Sequence, residues 1–209
     1  MISVSTNCQI CPRLAHFREE NRMKYPVFFN APVSSFGDFG SEFLVVGLAP
    51  GLKGANQTGR PFTGDYAGII LYSALAKYDF AEGKYDARAD DGFTLKNCRI
   101  TNAVRCVPPE NKPETAEIKN CNQFLRAEIT AMPNLRVILS LGLVSHNAVL
   151  QAFGLKPSFA KFTHGVAHKI NDKITLLNSY HSSRYNINTG RLTQKMFDAV
   201  VKKVGILIN

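Results

Sequence analysis

The sequence predicts an α/β domain, a three-layer sandwich in which a central, mainly parallel sheet of four strands lies between helices. Short apolar runs alternate with longer amphipathic segments, the pattern of buried parallel strands connected by helices. The 209 residues, 45% of them hydrophobic, are enough to enclose one core. No repeat, low-complexity segment or long run of like charge marks a linker. We therefore expect a single domain spanning residues 1–209.

The predicted strands are four short apolar runs, at residues 43–47, 99–103, 136–141 and 174–178. Helical patterns cover residues 12–25, 67–78, 113–130, 143–153 and 193–204. In an open parallel sheet, ligands bind beyond the carboxyl ends of the strands. The functional residues are therefore expected in the four loops that follow the strands, residues 48–65, 102–113, 142–145 and 179–191.

The charge and the hydropathy of the chain limit its partners and its location. Lysine and arginine outnumber aspartate and glutamate by 25 to 16, for a formal charge of +9. This excess suits a nucleic-acid-binding protein but is also found in basic enzymes of other kinds. No apolar stretch approaches the roughly 20 residues of a membrane helix, and residues 1–7 lack the features of a secretory signal. We expect a cytoplasmic protein with no membrane partner.

Five cysteines raise the question of a metal centre. Cys8 and Cys11 form a C-x-x-C pair ahead of the first helix, while Cys106 and Cys121 follow the second predicted strand. An odd number of cysteines in a reducing compartment does not suit a disulfide framework. Four thiolates could hold zinc or a four-iron cluster, and their spacing does not choose between them. Alternatively, Cys106 and Cys121 are small buried core residues, the role that we assign to Cys98.

The loop after the first strand is rich in glycine, which lets its backbone approach a ligand closely. It contains neither the G-x-G-x-x-G pattern of dinucleotide-binding proteins nor the G-K-[ST] of a phosphate-binding loop. Asn56, Phe62 and Asp65 place an amide, an aromatic ring and a carboxylate in this one loop. These groups can stack on a planar base and direct a water molecule. The alternative is a connection without chemistry.

Four stretches of the chain together resemble the uracil-DNA glycosylase superfamily, and specifically its iron-sulfur branch, called family 5 or type B. The first three stretches are residues 8–14, which contain the C-x-x-C pair, the loop at 47–65, and N-A-V-R-C-V-P-P-E-N-K-P from Asn102 onward to Cys121. The fourth, residues 179–193, is similar to the ending H-P-S-x-x-N-x-x-T-G-R-L-T of that branch. The resemblance implies a four-stranded parallel sheet between helices. It also implies a 4Fe-4S cluster bound by Cys8, Cys11, Cys106 and Cys121.

The chain departs from the pattern of the wider family at two positions. Ser182 follows His181 where proline is usual, which leaves the backbone of this loop less constrained. Ala49 is typical of the branch, but it stands where other branches carry a carboxylate or amide that activates water. The water must therefore be activated by another residue.

The resemblance implies a base-flipping enzyme, because the glycosidic bond of a stacked base is inaccessible. We expect Ala49, Phe62 and Asn102 to bind the base, with Phe62 stacking on it and Asn102 pairing with its polar edge. The local alternative for Asn102 is an amide bonded to its own backbone. His181 is expected to stabilise the negative charge of the departing base as a neutral hydrogen-bond donor.

Two residues of the glycine-rich loop are candidates for directing the catalytic water. Asn56 is favoured to direct it, although an amide does not accept a proton effectively. Asp65 either shares this role or caps the helix that follows it. We expect contacts with DNA from residues of the last loop, namely Ser182, Ser183, Arg184, Asn186 and Arg191, and added contacts from Lys53, Gln57 and Arg60 in the facing loop.

The function expected from these residues is the hydrolysis of the N-glycosidic bond of uracil and related deaminated bases in DNA, by a monomeric, monofunctional glycosylase that initiates base excision repair. In a prokaryote it would act at the nucleoid. Two alternatives are a non-catalytic iron-sulfur module that binds damaged or single-stranded DNA, and an iron-sulfur electron carrier. Asn102 and His181 at strand ends favour the enzyme, since neither alternative needs them.

Overall fold

A six-stranded mixed sheet forms the centre of the structure, a computed structural model that describes residues 4–208. Residues 1–3 and 209, which the predicted domain includes, lie outside the described residues. The strands of the chain are β1 (Phe36–Gly37), β2 (Phe43–Gly47), β3 (Ala81–Glu82), β4 (Thr94–Leu95), β5 (Cys98–Asn102), β6 (Val137–Leu141), β7 (Ala167–Lys169) and β8 (Thr175–Ser179). The helices are α1 (Pro12–Lys24), α2 (Ala55–Thr58), α3 (Tyr66–Lys77), α4 (Thr115–Thr130), α5 (Leu143–Ala152), α6 (Arg184–Asn188) and α7 (Gln194–Ile208).

The order of strands in the sheet is β1-β5-β2-β6-β8-β7. The four central strands are parallel and coincide with the four predicted strands to within one or two residues. Strands β1 and β7 add antiparallel edges, so the predicted four-stranded sheet has two further strands. These edges are two and three residues long and partly exposed, and they therefore lack the apolar run by which a buried strand is recognised.

Alternate residues of the central strands face two helical layers, which confirms the predicted three-layer arrangement. On β2, Phe43 and Val45 point to a core that includes apolar residues of α3 and α7. Leu44 and Val46 point to the opposite core, with residues of α4 and α5. Both faces of the strand are therefore buried, as its continuous apolar sequence indicates.

The carboxyl ends of the four parallel strands meet at one edge of the sheet. Gly47 at the end of β2 pairs in register with Asn102 at the end of β5, and Leu141 of β6 pairs with Ser179 of β8. The loops that follow these strands therefore lie side by side. Two of them contain the short helices α2 and α6, which the sequence pattern did not predict.

No helix among residues 4–208 combines the length and the apolar character that crossing a bilayer requires.

Candidate active site

A cavity of about 750 Å³ opens at the carboxyl edge of the sheet, in the position expected for an α/β fold. Its walls come from the loop after β2, the end of β5 and the loop after β8. The predicted site residues that line it are Ala49, Phe62, Asp65, Asn102, His181, Ser183 and Arg184. Several further lining residues were not predicted from the sequence, among them Leu52, Tyr66, Ile69, Ala87 and Asn111. Of these, only Leu52 and Asn111 lie in the loops after the predicted strands, where functional residues were expected.

The ring of Phe62 forms one wall of the cavity and faces the imidazole of His181. The two ring centroids are 6.2 Å apart, and the ring planes are inclined by 29°. Phe62 has a φ of +53°, a left-handed conformation that is strained for a bulky residue. A Cβ on Gly68 would lie 1.7 Å from the carbonyl oxygen of Phe62, so glycine is required there for the helix to approach this loop.

Tyrosine side chains hold the backbone on both sides of Phe62. The hydroxyl of Tyr85 donates to the carbonyl of Phe62 and accepts from the amide of Gly64, both at 3.3 Å. The hydroxyl of Tyr72 donates to the carbonyl of Pro61 at 2.5 Å. Burial raises the pKa of Tyr72 so that it stays protonated and keeps its donor. These bonds fix the strained conformation that presents the Phe62 ring to the cavity.

Arg60 also belongs to this scaffold. Its buried guanidinium forms two hydrogen bonds of 2.8 Å with the carboxylate of Asp91 and one with the hydroxyl of Thr63. The hydrogen bonds from Arg60 hold the pKa of Asp91 far below its usual value. A contact of Arg60 with DNA, suggested by its place in the facing loop, therefore does not fit the structure.

Asn102 presents an unpaired acceptor at the cavity. Its side chain is 4% exposed, and Oδ1 has no hydrogen-bond partner among residues 4–208. A Cβ on Gly47 would lie 2.3 Å from this oxygen and 2.5 Å from Cζ of Phe62. Buried acceptors are usually paired, so the free Oδ1 is available to accept a hydrogen bond from a ligand. The alternative, in which Asn102 binds its own backbone, is not observed for Oδ1.

His181 follows β8 and is held by its neighbours in the loop. Nδ2 of Asn186 donates to the carbonyl of His181 at 2.8 Å. This amide therefore supports residues 180–183, the histidine loop between β8 and α6. Burial against the cavity wall lowers the pKa of His181 to about 4. The imidazole is therefore neutral near pH 7, and its N–H can donate a hydrogen bond without adding a charge.

The predicted contact of Ser182 with DNA is corrected by the structure. The Ser182 side chain is fully buried, and its hydroxyl donates to the carbonyl of Ala67 at 3.2 Å. The bond joins the histidine loop to the first turn of α3, because serine, unlike proline, carries a donor in its side chain. The sequence marked this position as unusual, but the inward orientation depends on tertiary packing.

Asp65 both caps a helix and lines the cavity. Its Oδ1 accepts from the amide of Gly68 at 3.0 Å, as the N-cap of α3. Its Oδ2 faces the glycine-rich loop, where a Cβ on Gly54 would lie 2.7 Å away. Burial raises the pKa of Asp65, although hydrogen bonds from the amides of Gly68 and Ala67 oppose this effect. One carboxylate oxygen therefore caps α3, while the other faces the glycine-rich loop that lines the cavity.

Asn56 does not reach the cavity, which corrects its predicted role in directing water. Its side chain is 1% exposed, and Nδ2 donates to Oδ1 of Asn30 at 2.9 Å. The amide of Asn30 in turn donates to the carbonyl of Asn56 at 3.2 Å. The unpredicted turn of helix α2 directs this side chain inward. Asn56 therefore fastens the glycine-rich loop to the segment around Asn30.

The other predicted DNA-contacting residues of the last loop lie along α6 and just before or beyond it. The hydroxyl of Ser183 accepts from the amide of Asn186 at 3.3 Å as the N-cap of α6. Arg184 is exposed, with its guanidinium 5.2 Å from the ring centroid of Tyr66. Arg191 is also exposed and lies 4.8 Å from the ring of Tyr180. This segment thus presents two exposed cations, each near an aromatic ring, and one of them, Arg184, also lines the cavity.

The four predicted metal-binding cysteines line a second, smaller cavity, on the side of the domain where α1 packs. Cys8 and Cys11 precede α1, Cys106 follows β5, and Cys121 lies in α4. The amide of Arg105 donates to Sγ of Cys121 at 3.3 Å. Within residues 4–208, no three His, Cys, Asp or Glu side chains converge on a position for a single metal ion. The four thiols share one cavity without meeting at one point.

Burial disfavours negative charge on these thiols, but a buried cation with unpaired donors beside them suits a negatively charged metal group. Burial, together with the charge of nearby cysteines, raises the pKa of Cys106 to about 12 and that of Cys121 to about 11. Arg18 lies beside Cys106 and opposes this rise. Nε and Nη2 of Arg18 are buried and have no partner among the described residues. Four thiolates with unused donors beside them form a suitable donor set for a cluster. Cys98 packs elsewhere, in the main core.

The three-layer fold and the strand-end cavity define an α/β protein whose cavity presents an aromatic ring, a neutral histidine and an unpaired amide oxygen. A family model described as the uracil DNA glycosylase superfamily matches residues 34–205. The chain belongs to this superfamily, which confirms the resemblance inferred from its motifs.

Named relatives are similar over most of the chain. A Type-5 uracil-DNA glycosylase from Thermus thermophilus is 39% identical over 201 residues, which cover 94% of this chain and 91% of that protein. A Type-5 uracil-DNA glycosylase from Pyrobaculum aerophilum is 36% identical over 201 residues, covering 94% and 87% respectively. A Type-4 uracil-DNA glycosylase from the same organism is 33% identical over 149 residues, covering 71% and 62%.

Proposed function

We propose that this chain is a monofunctional DNA glycosylase that hydrolyses the N-glycosidic bond of uracil and related deaminated bases in DNA, as the first step of base excision repair. The observation that carries this proposal is the strand-end cavity, in which Phe62, Asn102, His181 and Asp65 converge. The similarity to relatives named uracil-DNA glycosylases over most of the chain supports it.

The base enters the cavity after it is flipped out of the duplex. There it stacks on the ring of Phe62, whose conformation is set by the tyrosine contacts. The unpaired Oδ1 of Asn102 accepts a hydrogen bond from the polar edge of the base. Ala49 lines the same cavity with a small methyl group and leaves room for the base and the sugar. Because Gly47 has no side chain, the ring of Phe62 and the amide of Asn102 can lie close together.

His181 acts on the departing base. Cleavage of the glycosidic bond leaves negative charge on the base, and a hydrogen-bond donor positioned there lowers the barrier. Because the pKa of His181 is about 4, its neutral N–H is the donor at physiological pH. A neutral donor stabilises the developing charge without having to give up a proton.

Asp65 acts on the water. Its Oδ1 is fixed by the N-cap bond, which orients Oδ2 toward the glycine-rich loop. A carboxylate can both orient a water molecule and accept its proton, which an amide does poorly. Burial raises the pKa of Asp65, which means that its carboxylate accepts a proton more readily. Asp65 therefore takes the role first considered for Asn56.

Cys8, Cys11, Cys106 and Cys121 would hold a 4Fe-4S cluster. When bound, such a cluster links the ligand-bearing segments and can exchange an electron. The cysteines belong to the turn before α1, the loop after β5 and helix α4, so their joint ligation ties the amino-terminal segment to the sheet. Iron and acid-labile sulfide analysis of anaerobically purified protein tests this proposal. Four of each per chain are expected, and zinc alone would contradict it.

DNA would be held at the cavity mouth by Ser183, Arg184 and Arg191, with Asn186 acting through the histidine loop. Exposed cations and amides at α6 suit phosphate contacts, which weaken steeply with salt because binding releases counterions. We further propose that the protein works as a monomer in the cytoplasm, where its DNA substrate and a reducing environment for its thiols coexist.

A strand-cleavage assay tests the activity. Duplex and single-stranded oligonucleotides with one uracil, hypoxanthine or xanthine are incubated with the protein and then treated with alkali. Cutting at the uracil only after alkali is expected, because a monofunctional glycosylase leaves an intact backbone at the abasic site. Binding to every damaged substrate without any cleavage would instead indicate a non-catalytic DNA-binding module.

A further inference from the structure

Arg18 is a buried charge that the function described above does not use. It lies on α1, one of the segments adjoining the cysteine cavity, and its side chain is 2% exposed. One nitrogen, Nη1, donates to the carbonyl of Cys8 at 3.0 Å. The side chain therefore crosses from the helix to the turn that carries the first cysteine pair.

Most of the guanidinium has no partner in the protein. Nε and Nη2 make no hydrogen bond of good geometry within residues 4–208, and the contact of Arg18 with the Cys106 thiol is with a weak, neutral acceptor. The nearest carboxylate, that of Glu19, is 3.6 Å from Nε, but this side chain is half exposed and does not form a hydrogen bond with it. A buried charge needs both a counter-charge and hydrogen-bond acceptors, or it strongly destabilises the fold.

The missing partner lies in the direction of the cysteine cavity. Arg18 lies beside the Cys106 thiol, and Cys106 lines that cavity together with the other three cysteines. A neutral thiol does not balance a guanidinium charge. An iron-sulfur cluster with four thiolate ligands does, because it carries net negative charge and its sulfur atoms accept hydrogen bonds.

We propose that Arg18 is the internal counter-ion of the cluster and sets its reduction potential. The proposal rests on the cluster proposed above. Reduction would add a negative charge to the cluster, and a buried positive charge close by would stabilise the reduced form more than the oxidised form. Arg18 therefore raises the reduction potential, and its charge is the property that matters.

The test is a potentiometric titration of the cluster in the intact, cluster-loaded protein. Arg18→Met keeps much of the length of the side chain and removes the charge, whereas Arg18→Lys keeps the charge. Lys24→Met is the matched control, because it removes an exposed charge from the same helix. We expect a clearly more negative potential for Arg18→Met, a smaller shift for Arg18→Lys and none for Lys24→Met.

Iron content distinguishes the remaining outcomes. Loss of iron from Arg18→Met but not from Arg18→Lys would also support Arg18 as the counter-ion, because lysine keeps the positive charge and methionine does not. Equal loss of iron from both variants, or a wild-type potential in Arg18→Met, would overturn this inference but not the proposal that the wild-type protein holds a cluster. A wild-type protein without iron would overturn the cluster and this inference together.

Discussion

The imidazole of His181 lies 6.2 Å from the ring of Phe62, centroid to centroid, although the two residues come from loops after β8 and β2. The distance is set by the sheet, because the ends of the parallel strands bring both loops to one edge. Each loop is then fastened separately, the first by Tyr72 and Tyr85 and the second by Asn186. The ring and the imidazole are therefore positioned by separate sets of hydrogen bonds, and the bond from Ser182 to the carbonyl of Ala67 links the second loop to α3.

Gly47→Ala should impair base binding and cleavage together. The added Cβ would lie 2.3 Å from Oδ1 of Asn102 and 2.5 Å from Cζ of Phe62, so both side chains must move. Because a displacement of about 1 Å in an active site can slow a reaction by about 100-fold, a loss of that order in kcat/KM is expected.

The control for this variant is Gly205→Ala, since a Cβ on Gly205 meets nothing within 4 Å and its position lies inside α7. It should keep wild-type activity and be equally or more stable. Wild-type kcat/KM in a folded Gly47→Ala protein would show that the close approach at the end of β2 is unimportant.

Asn56→Ala should act on stability. Removing this buried amide breaks its bond with Asn30 and leaves an acceptor unpaired, at a cost of about 1–3 kcal/mol in the free energy of unfolding. Urea unfolding measures this loss. The rate of uracil release per folded molecule should remain within a few-fold of wild type. A much slower rate in a variant of unchanged stability would restore Asn56 as a catalytic residue.

His181 should make the protein less stable as the pH falls from about 6.5 to 4. Its pKa is lowered from 6.5 to about 4 in the folded state, so the unfolded chain binds the proton more tightly in this range. The full shift corresponds to at most about 3.4 kcal/mol in the free energy of unfolding.

The variant that measures this contribution is His181→Gln, which cannot titrate at this position. Its free energy of unfolding, followed by urea unfolding at several pH values, should decline less between pH 6.5 and 4 than that of the wild type. Parallel curves for the two proteins would contradict the lowered pKa.

The sequence predicted those elements whose structure depends mainly on their own residues. The four central strands are buried on both faces, so their apolar runs are visible without knowledge of the fold. The rule that ligands bind at strand ends then selected the loops that contain Phe62, Asp65, Asn102 and His181. The short edge strands β1 and β7 carry no comparable signal, because the neighbouring strands determine their pairing.

The orientation of side chains within those loops could not be predicted. Asn56 and Asp65 are both polar residues of the same glycine-rich loop, but the turn of α2 directs the first inward. Arg60 and Ser182 are residue types that often contact DNA. In this chain both are buried, and each is bonded to a partner far away in the sequence, Asp91 and Ala67 respectively. Such long-range contacts leave no periodic pattern in the sequence.

Asp65→Asn separates the two roles of this residue. Asparagine is as good an N-cap as aspartate, so the bond to the amide of Gly68 should persist and the melting temperature should stay close to the wild-type value. The amide does not accept a proton from water, however. The substitution therefore removes the proposed chemistry while it preserves the local fold.

The most direct measurement is the single-turnover rate of uracil release from a uracil-containing duplex at saturating protein, wild type against Asp65→Asn. We predict a rate lower by about 100- to 10,000-fold, the usual contribution of a general base, with unchanged affinity for the DNA. A wild-type rate in the folded variant would contradict the assignment of water activation to Asp65.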